Sequence, residues 1–188
     1  EAADGAPRDT AATPHADPLS GYYDEARRFA QAMTRKSLDG GGRDWVICTG
    51  GGPGVMEAGN RGAAEAGGRS VGLSIVLPHE QAPNAYVTPE LCFNFHYFGI
   101  RKMHFLMRAR AIAVFPGGFG TLDETFEALT LIQTGRMEQI PVLLFGEAFW
   151  REVVNFDALV AAGTISEADL SLFRFVETAE AAIAAIED

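Results

Sequence analysis

The sequence predicts a single α/β domain built on a doubly wound, Rossmann-like parallel sheet. Short, continuously apolar segments alternate with longer segments of helical periodicity along almost the whole chain. Strands that are apolar throughout are typical of a parallel sheet that helices cover on both faces. Glycine-rich turns at residues 50–54 and 117–120 each follow such an apolar segment. In a doubly wound sheet these turns lie at the carboxyl ends of strands, where ligands bind.

The individual elements follow from periodicity and from the glycine and proline residues between them. A first helix is predicted at residues 22–33, where five side chains share one helical stripe: Tyr23, Ala26, Phe29, Ala30 and Met33. The remaining predicted helices are residues 55–66, 99–109, 121–133, 149–161 and 179–186. The predicted strands are residues 45–49, 70–77, 91–95, 111–115, 141–145 and 173–176.

The amino-terminal part of the chain differs from the rest. Residues 1–20 are rich in Ala, Pro, Asp and Thr, which predicts a flexible arm or an inserted loop ahead of the domain at residues 21–188. A doubly wound fold normally opens with a strand, whereas the first periodic element here is a helix. We therefore expect that the first, central strand is missing; the alternative is a sheet with one strand fewer.

Composition limits the classes of partner. The 188 residues are 47% hydrophobic and 21% charged, as in one soluble globular domain. A net charge of −10 argues against binding of nucleic acid or anionic membranes, which need clustered Lys and Arg. No apolar run approaches the roughly 20 residues of a membrane span. Cys48 and Cys92 lie in apolar segments, which predicts buried, reduced thiols in a cytoplasmic protein.

The second glycine turn combines an anion site with an acid. Residues 116–124 read PGGFGTLDE and join a predicted strand to a predicted helix. Backbone N–H groups of Gly118, Gly120 and Thr121, with the Thr121 hydroxyl, suit a phosphate at a helix start. We expect Glu124 in the first helical turn, where the helix dipole helps to keep its carboxylate ionised. This arrangement fits a phosphorylated substrate whose reaction needs a carboxylate.

The glycine turns do not match the common nucleotide-binding and hydrolase motifs in spacing. Gly50 and Gly52 fit the first two positions of a dinucleotide fingerprint, but Val55 occupies the third. The chain has no G-x-x-x-x-G-K-[ST] loop and no G-x-S-x-G elbow. Its four histidines have no metal-ligand spacing. The sequence therefore predicts neither a metal nor a cofactor.

These motifs resemble those of the LOG ("Lonely guy") family, the cytokinin riboside 5′-monophosphate phosphoribohydrolases. The PGGFGTLDE segment is similar to the family motif P-G-G-x-G-T-x-x-E, and Arg101-Lys102 is similar to its arginine-lysine pair one helix upstream. Residues 49–58, TGGGPGVMEA, resemble its first glycine turn. The similarity runs from about Tyr22 to Val176. Members are often labelled lysine decarboxylases, but no pyridoxal-phosphate lysine site is recognisable here.

The resemblance implies an enzyme that hydrolyses the N-glycosidic bond of a purine nucleoside 5′-monophosphate. The substrate is AMP or an N6-modified AMP of cytokinin biosynthesis, and the products are free base and ribose 5-phosphate. The resemblance places the catalytic glutamate at Glu124, with Arg101 either orienting it or assisting the departing base. It also implies a homo-oligomer, dimeric or larger. The implied substrate-binding residues are Gly51, Gly52, Lys102, Gly117, Gly118, Gly120, Thr121 and Glu127.

Several alternatives stay open at this stage. The chain is either this hydrolase or a non-catalytic nucleotide or cofactor carrier on the same fold. Lys102 and Glu127 either contact substrate or lie on a solvated surface, and Asp123 is more simply a helix-start acid. Gly117 and Gly118 either serve the phosphate or only form a tight turn. The aromatic residues at 93, 95, 97 and 98 either line a pocket for an N6 group or pack in the core.

Overall fold

The computed structural model describes residues 20–76 and 82–188. The predicted arm lies outside the described residues, except for Ser20. The six strands are β1 (Ile47–Thr49), β2 (Ser70–Ile75), β3 (Cys92–Phe95), β4 (Ile112–Val114), β5 (Val142–Phe145) and β6 (Arg174–Val176). The seven α-helices are α1 (Ser20–Asp39), α2 (Val55–Glu65), α3 (Phe98–Leu106), α4 (Phe119–Gln133), α5 (Glu147–Val153), α6 (Phe156–Ala161) and α7 (Ala179–Glu187). Short 3-10 helices span Pro89–Leu91 and Glu167–Leu172.

All strand pairs are parallel, and the strands form two groups of three. One group has the order β1-β2-β3 and the other β4-β5-β6. Ile47 lies opposite Ser70 in the first group, and Val114 lies opposite Leu144 in the second. Among the described strands, β1 and β4 each pair on one side alone. The α/β class and the parallel sheet are as predicted, while the sheet is divided between β1 and β4.

The hydrophobic core lies on both faces of the second group of strands. Side chains alternate along a strand, so neighbouring residues of β5 face opposite layers. Val142 and Leu144 pack with residues of α4, α5 and α6, whereas Leu143 and Phe145 pack with α1 and α7. All four are almost fully buried, and each such side chain contributes about 1.5–3 kcal/mol. This two-sided burial confirms the predicted covering of the sheet by helices on both faces.

Helix α1 packs closely along α2 on the side of the first group. A Cβ at Gly62 of α2 would overlap the backbone carbonyl of Arg27. The absence of a side chain at Gly62 therefore lets the two helix backbones approach each other. Within the described residues, no helix combines the length and the apolar character needed to cross a bilayer.

One predicted helix is divided in the structure. The single helix predicted at residues 149–161 is two helices, α5 and α6, separated at Val154 and Asn155. The Asn155 side chain accepts a hydrogen bond from the Ala158 N–H at 2.9 Å and so caps α6. An asparagine that satisfies the free N–H groups of a helix start favours a new helix over continuation of the old one.

Candidate active site

The start of α4 presents unpaired backbone donors. Its first internal hydrogen bond runs from the Leu122 N–H to the Gly118 carbonyl at 3.1 Å. The N–H groups of Phe119, Gly120 and Thr121 therefore precede the hydrogen-bonded part of the helix. Such a helix start attracts an anion, because these N–H groups and the helix dipole act together. Gly120 and Thr121 are among the donors that the sequence predicts, and Phe119 is an additional donor. Gly118, the third predicted donor, is the residue just before the helix.

The glycines of this turn have two different physical roles. A Cβ at Gly117 would overlap Thr121 Oγ1 and lie 3.0 Å from Thr121 Cβ, so Gly117 makes room for the threonine side chain. A Cβ at Gly118 or Gly120 would meet nothing within 4 Å. The space above these two residues is open to a ligand.

Arg101 and Glu124 come together beside the gap between the two groups of strands. Arg101 Nη1 lies 3.7 Å from Glu124 Oε1. Arg101 Nε donates to the Leu73 carbonyl at 2.6 Å, and the guanidinium lies 5.1 Å from the centre of the Phe105 ring. Burial lowers the pKa of Arg101, while the charge of Glu124 acts in the opposite direction. The guanidinium is thereby fixed between β2 and α4.

Glu124 lies deeper in its helix than the sequence predicted. Because α4 begins at Phe119, Glu124 is in the second turn, and α4 has no acidic residue in its first turn. The dipole effect fades within the first turn, so the expectation that it keeps Glu124 ionised is wrong. Burial instead raises the pKa of Glu124, and the nearby charges of Arg101 and Lys102 partly offset this. A carboxylate with a raised pKa in a cleft is a candidate for proton transfer.

Lys102 links α3 to α4 through two carboxylates. Its Nζ lies 2.6 Å from Asp123 Oδ2 and 3.2 Å from Glu127 Oε2. The Lys102 side chain is only 16% exposed, so it is not a free surface lysine. The two carboxylates raise the pKa of Lys102, and Asp123 has the largest effect. Asp123 is thus an ion-pair partner that holds the helix bearing Glu124 against the helix bearing Arg101.

The first glycine turn is held by a polar network that sequence reasoning missed. Asn84 donates from its backbone N–H to the Gly51 carbonyl at 2.8 Å, and from its side chain to the Gly52 carbonyl at 3.0 Å. Its side chain also donates to Asn60 Oδ1 at 2.9 Å, and Asn60 is fully buried. A lone asparagine among the small residues of α2 was the available signal.

The backbone of this turn is largely engaged within the protein. The Gly51 N–H donates to Thr49 Oγ1 at 3.0 Å, and Gly51 has a positive φ of 73°. Gly52 lies under the Met56 side chain. Gly51 and Gly52 therefore shape the turn.

One cavity of about 1930 Å³ extends from these turns into the space between β1 and β4. The predicted residues Arg101, Gly120, Thr121 and Glu124 line it. The other predicted binding residues lie off its wall: Gly51, Gly52, Lys102, Gly117, Gly118 and Glu127. Within residues 20–76 and 82–188, no group of three His, Cys, Asp or Glu residues is placed to hold a metal ion.

Two sets of residues expected in the core face this cavity instead. Phe93 and Phe98 line it and are 47% and 53% exposed, so their interpretation as core residues is wrong. Cys48 also lines the cavity and is exposed to it. The protein around the thiol displaces water and so raises the pKa of Cys48 to about 12, against the opposing charge of Arg101. The expected burial of Cys48 is therefore wrong, and Cys92 is half-buried.

The family model described as "Possible lysine decarboxylase" matches residues 56–186, which include Arg101-Lys102 and the PGGFGTLDE segment. The chain belongs to this family. It is the LOG family, as the motifs predicted. Three cytokinin riboside 5′-monophosphate phosphoribohydrolases of Arabidopsis thaliana are each 23% identical to the chain over 170–172 residues. The aligned region covers 89–90% of the chain and 76% of each relative.

Solved structures share the fold. A structural-genomics target solved by X-ray crystallography is 23% identical, with a TM-score of 0.63, and the match covers 91% of this chain and 90% of that one. The molybdenum cofactor carrier protein of Chlamydomonas reinhardtii is 22% identical, with a TM-score of 0.58 and coverage of 88% and 86%. At these identities the likeness establishes the Rossmann-like α/β fold of the LOG family chain. It does not identify the ligand, which depends on the chemistry of the site.

Proposed function

We propose that this LOG family protein hydrolyses the N-glycosidic bond of a purine nucleoside 5′-monophosphate, releasing free base and ribose 5-phosphate. The observation that carries the proposal is the Arg101–Glu124 pair, 3.7 Å apart, beside the open helix start of α4. Family membership and the Arabidopsis thaliana relatives, whose names state this activity, support it.

The spacing along α4 suits a phosphorylated sugar. Thr121 and Glu124 are three positions apart and lie on the same face of the helix. Glu124 is therefore about 4.5 Å further along the axis, at 1.5 Å per residue. A ligand whose phosphate meets the first turn of α4 brings its adjoining sugar beside the Glu124 carboxylate.

The chemistry of the proposed reaction gives each residue of the pair a role. As the bond from C1′ to the base breaks, the base takes the bonding electrons and positive charge develops on the sugar. The Glu124 carboxylate stabilises that charge and accepts a proton from the water that attacks C1′, while the departing base takes up one proton from solvent water to become the free base. Arg101 keeps its proton, so it is a poor proton donor. Its fixed hydrogen bond to the Leu73 carbonyl makes it a positioning residue for Glu124.

A non-catalytic carrier is the competing function, and the same pair argues against it. Burying an ionisable carboxylate costs free energy, as the raised pKa of Glu124 reflects. A carrier that only holds a nucleotide has no use for such a group beside the sugar. Hydrolysis has a use for this carboxylate, because the positive charge that the carboxylate stabilises develops only in the transition state.

The test is release of base from AMP and from isopentenyladenosine monophosphate, measured by chromatography. Glu124→Gln is expected to lower the rate by about 10²–10⁴-fold, the usual value of a positioned acid or base. Glu138→Gln is the matched control, because Glu138 is exposed and lies off the cavity wall. Binding of AMP without release of base by the parent protein would favour the carrier. The ratio of the two substrate rates reports the preference for an N6 group.

We also propose that the protein is a homo-oligomer in the cytoplasm. Helix α3 and the residue after it expose apolar side chains, with Ile100 49%, Met103 58% and Met107 67% exposed. Contiguous exposed apolar surface is typical of an interaction site. Light scattering measures the molar mass in solution of the parent protein and of Met103→Glu. A parent protein that is monomeric at micromolar concentration would contradict the proposed homo-oligomer.

A further inference from the structure

We propose that Asn84 is a positioning residue for the candidate active site: it holds the first glycine turn against the guanidinium of Arg101, and so keeps Arg101 aimed at Glu124. Asn84 lies outside both glycine turns and outside the Arg101-Lys102 pair. A kinetic effect of Asn84 rests on the proposed hydrolysis, whereas its effect on the charge beside Glu124 is measurable without any reaction.

The side chain of Asn84 is held in one orientation. Its Oδ1 accepts a hydrogen bond from the Tyr86 N–H at 3.1 Å, the local turn that asparagine commonly forms two residues ahead. Further along the same segment, Val87 is buried and Thr88 exchanges two hydrogen bonds with the backbone of Ser70 in β2, at 2.9 and 3.2 Å. The segment is thus anchored to β2, and the amide nitrogen of Asn84 is the side-chain atom that reaches the glycine turn.

The amide nitrogen of Asn84 has two acceptors, which lie on different elements. It donates to the Gly52 carbonyl at 3.0 Å and to Asn60 Oδ1 at 2.9 Å. Asn60 is fully buried on α2, and its own amide nitrogen donates to Ser70 Oγ at 3.0 Å. That bond fixes the end of the Asn60 amide that faces Asn84. Both N–H groups of the Asn84 side chain are therefore used.

The backbone of the first glycine turn is held from outside the turn. Asn84 donates its own N–H to the Gly51 carbonyl at 2.8 Å. The Gly51 N–H donates to Thr49 Oγ1 at 3.0 Å, and the Gly50 carbonyl accepts a hydrogen bond from Ser74 Oγ at 3.4 Å. Because glycine restricts its own backbone least, these hydrogen bonds set where Gly50 lies.

Gly50 borders the guanidinium of Arg101. A Cβ at Gly50 would lie 2.7 Å from Arg101 Nη2, so the turn backbone and the guanidinium are in close approach. The other two nitrogens are Nε, which donates to the Leu73 carbonyl at 2.6 Å, and Nη1, which lies 3.7 Å from Glu124 Oε1. A guanidinium is planar and rigid. A displacement of the turn at Nη2 therefore changes the position of Nη1 relative to Glu124.

A displacement of Arg101 has an electrostatic consequence at Glu124. Arg101 acts on Glu124 through its charge, since their separation of 3.7 Å is beyond hydrogen-bond distance. Burial raises the pKa of Glu124, Arg101 and Lys102 lower it, and Glu127 and Asp123 raise it. Lys102 is paired with Asp123 and Glu127 across α3 and α4. Loss of the support of the turn moves Arg101 and leaves that ion-paired group in place, so the pKa of Glu124 is expected to rise further.

The experiment removes the side-chain donors of Asn84 and measures the titration of Glu124. Asn84→Ala leaves the backbone N–H and the net charge unchanged. Carbon-13 NMR of the glutamate carboxyl groups reports the pKa of Glu124, whose signal is assigned by its absence from Glu124→Gln. The pKa is expected to be higher in Asn84→Ala than in the parent protein.

Steady-state kinetics measure the second effect of Asn84→Ala. The kcat for release of base from AMP is expected to fall by about 10²-fold, the usual cost of a misplacement of about 1 Å. KM is expected to stay near the parental value, because the proposed phosphate site lies on α4. A purely structural role for Asn84 would lower Tm without this difference between kcat and KM.

Asn155→Ala is the matched control for stability. It is the same substitution, and it also removes an asparagine side-chain hydrogen bond, the one to the Ala158 N–H that caps α6. Asn155 lies off the cavity wall. This variant is expected to lower Tm and to leave both the pKa of Glu124 and kcat at the parental values.

Two further variants complete the design. Gly50→Ala places a methyl group against Arg101 Nη2, and is expected to raise the pKa of Glu124 by direct displacement of the guanidinium. Asn84→Ser keeps a local acceptor for the Tyr86 N–H and loses the amide donors. It is expected to act as Asn84→Ala does, and it replaces that variant if Asn84→Ala does not fold.

Three results would overturn the role of Asn84. The first is a parental pKa of Glu124 in folded Asn84→Ala. The second is an equal rise of that pKa in Asn155→Ala, which would assign the shift to loss of stability alone. The third is a parental pKa in Gly50→Ala, which would break the link between the turn and Arg101.

Failure of the proposed function gives a different result. A parent protein that releases no base from AMP would refute the proposed hydrolysis. The NMR titration then decides the role of Asn84 by itself: a higher pKa of Glu124 in Asn84→Ala supports that role, and an unchanged pKa overturns it.

Discussion

A single methyl group at Gly120 is expected to separate ligand binding from stability in the turn before α4. A Cβ at this position meets nothing within 4 Å, so Gly120→Ala fits the folded protein. Replacing glycine by alanine in a compatible conformation stabilises by about 0.4–1 kcal/mol, through the unfolded state. For a chain of this size, Tm is expected to rise by about 1–4 °C.

The same methyl group blocks the proposed phosphate. In a helix the Cβ points towards the amino terminus, which here is the space over the free N–H groups. Loss of one hydrogen bond to a charged group costs about 1.5–3 kcal/mol. At about 1.36 kcal/mol for each factor of ten, kcat/KM for AMP is expected to fall by about 10–150-fold.

Gly117→Ala is the matched comparison, since its Cβ would overlap Thr121 Oγ1. Overpacking of this kind costs about 1–3 kcal/mol, so Tm is expected to fall. Adding Thr121→Ala removes the overlap with the hydroxyl and leaves the tighter-than-usual contact with the Cβ of residue 121. It is expected to restore part of the lost Tm without restoring activity, because the threonine hydroxyl is lost.

Thermal unfolding and steady-state rates of base release measure both quantities on the same preparations. Parental kcat/KM in Gly120→Ala would refute the placement of phosphate at this turn. A lower Tm in Gly120→Ala would show that the space above this residue is not open.

Three further predictions concern the charges and the buried amide around the site. Burial raises the pKa of Glu124, so a pH–rate profile is expected to lose activity on the acid side at a higher pH than an ordinary glutamate gives. A carboxyl group whose pKa is higher in the folded state stabilises that state less as pH rises through this pKa. The Tm of the parent is therefore expected to fall relative to the Tm of Glu124→Gln over that pH range. Parallel curves of Tm against pH for the two proteins would contradict this. Lys102→Met leaves Asp123 and Glu127 without their cation and is expected to lower Tm more than Lys102→Arg; equal Tm values would show that the link between α3 and α4 is unimportant. Asn60→Ala removes the partner of Thr49 and Ser70, and urea denaturation is expected to show a loss of about 1–3 kcal/mol.

The sequence predicted the fold class because the hydrophobic periodicity differs clearly between the strand segments and the helix segments. Apolar segments such as residues 141–145 are compatible with a buried strand alone, and β5 lies within that range. The start of α4 was two residues out, since Phe119 and Gly120 carry no helix signal of their own. That small error changed the electrostatic environment of Glu124, because the dipole effect depends on the turn that a residue occupies.

The sequence predicts candidate site residues where a motif specifies them, and it does not predict the tertiary contacts that hold the site in place. The proximity of Arg101 to Glu124 followed from the family resemblance, and the structure places them 3.7 Å apart. The hydrogen bonds of Asn84 to the first glycine turn join segments more than thirty residues apart. No local pattern encodes such a contact, because the partners meet only after the sheet has formed.

The unequal burial of the two groups of strands has a consequence for inactivation. The largest fully buried apolar side chains, Trp150, Phe145, Leu143 and Leu144, belong to the part of the chain from β5 onward, while the fully buried side chains of the β1–β3 part include Asn60 and Ser70. Regions with few buried apolar contacts open first on warming, as separate cooperative units. Arg101 is tied to Leu73 of the β1–β3 part, whereas Glu124 stays on the other. Opening of the weaker part therefore separates Arg101 from Glu124, and activity is expected to be lost at a lower temperature than the one at which the β4–β6 part unfolds.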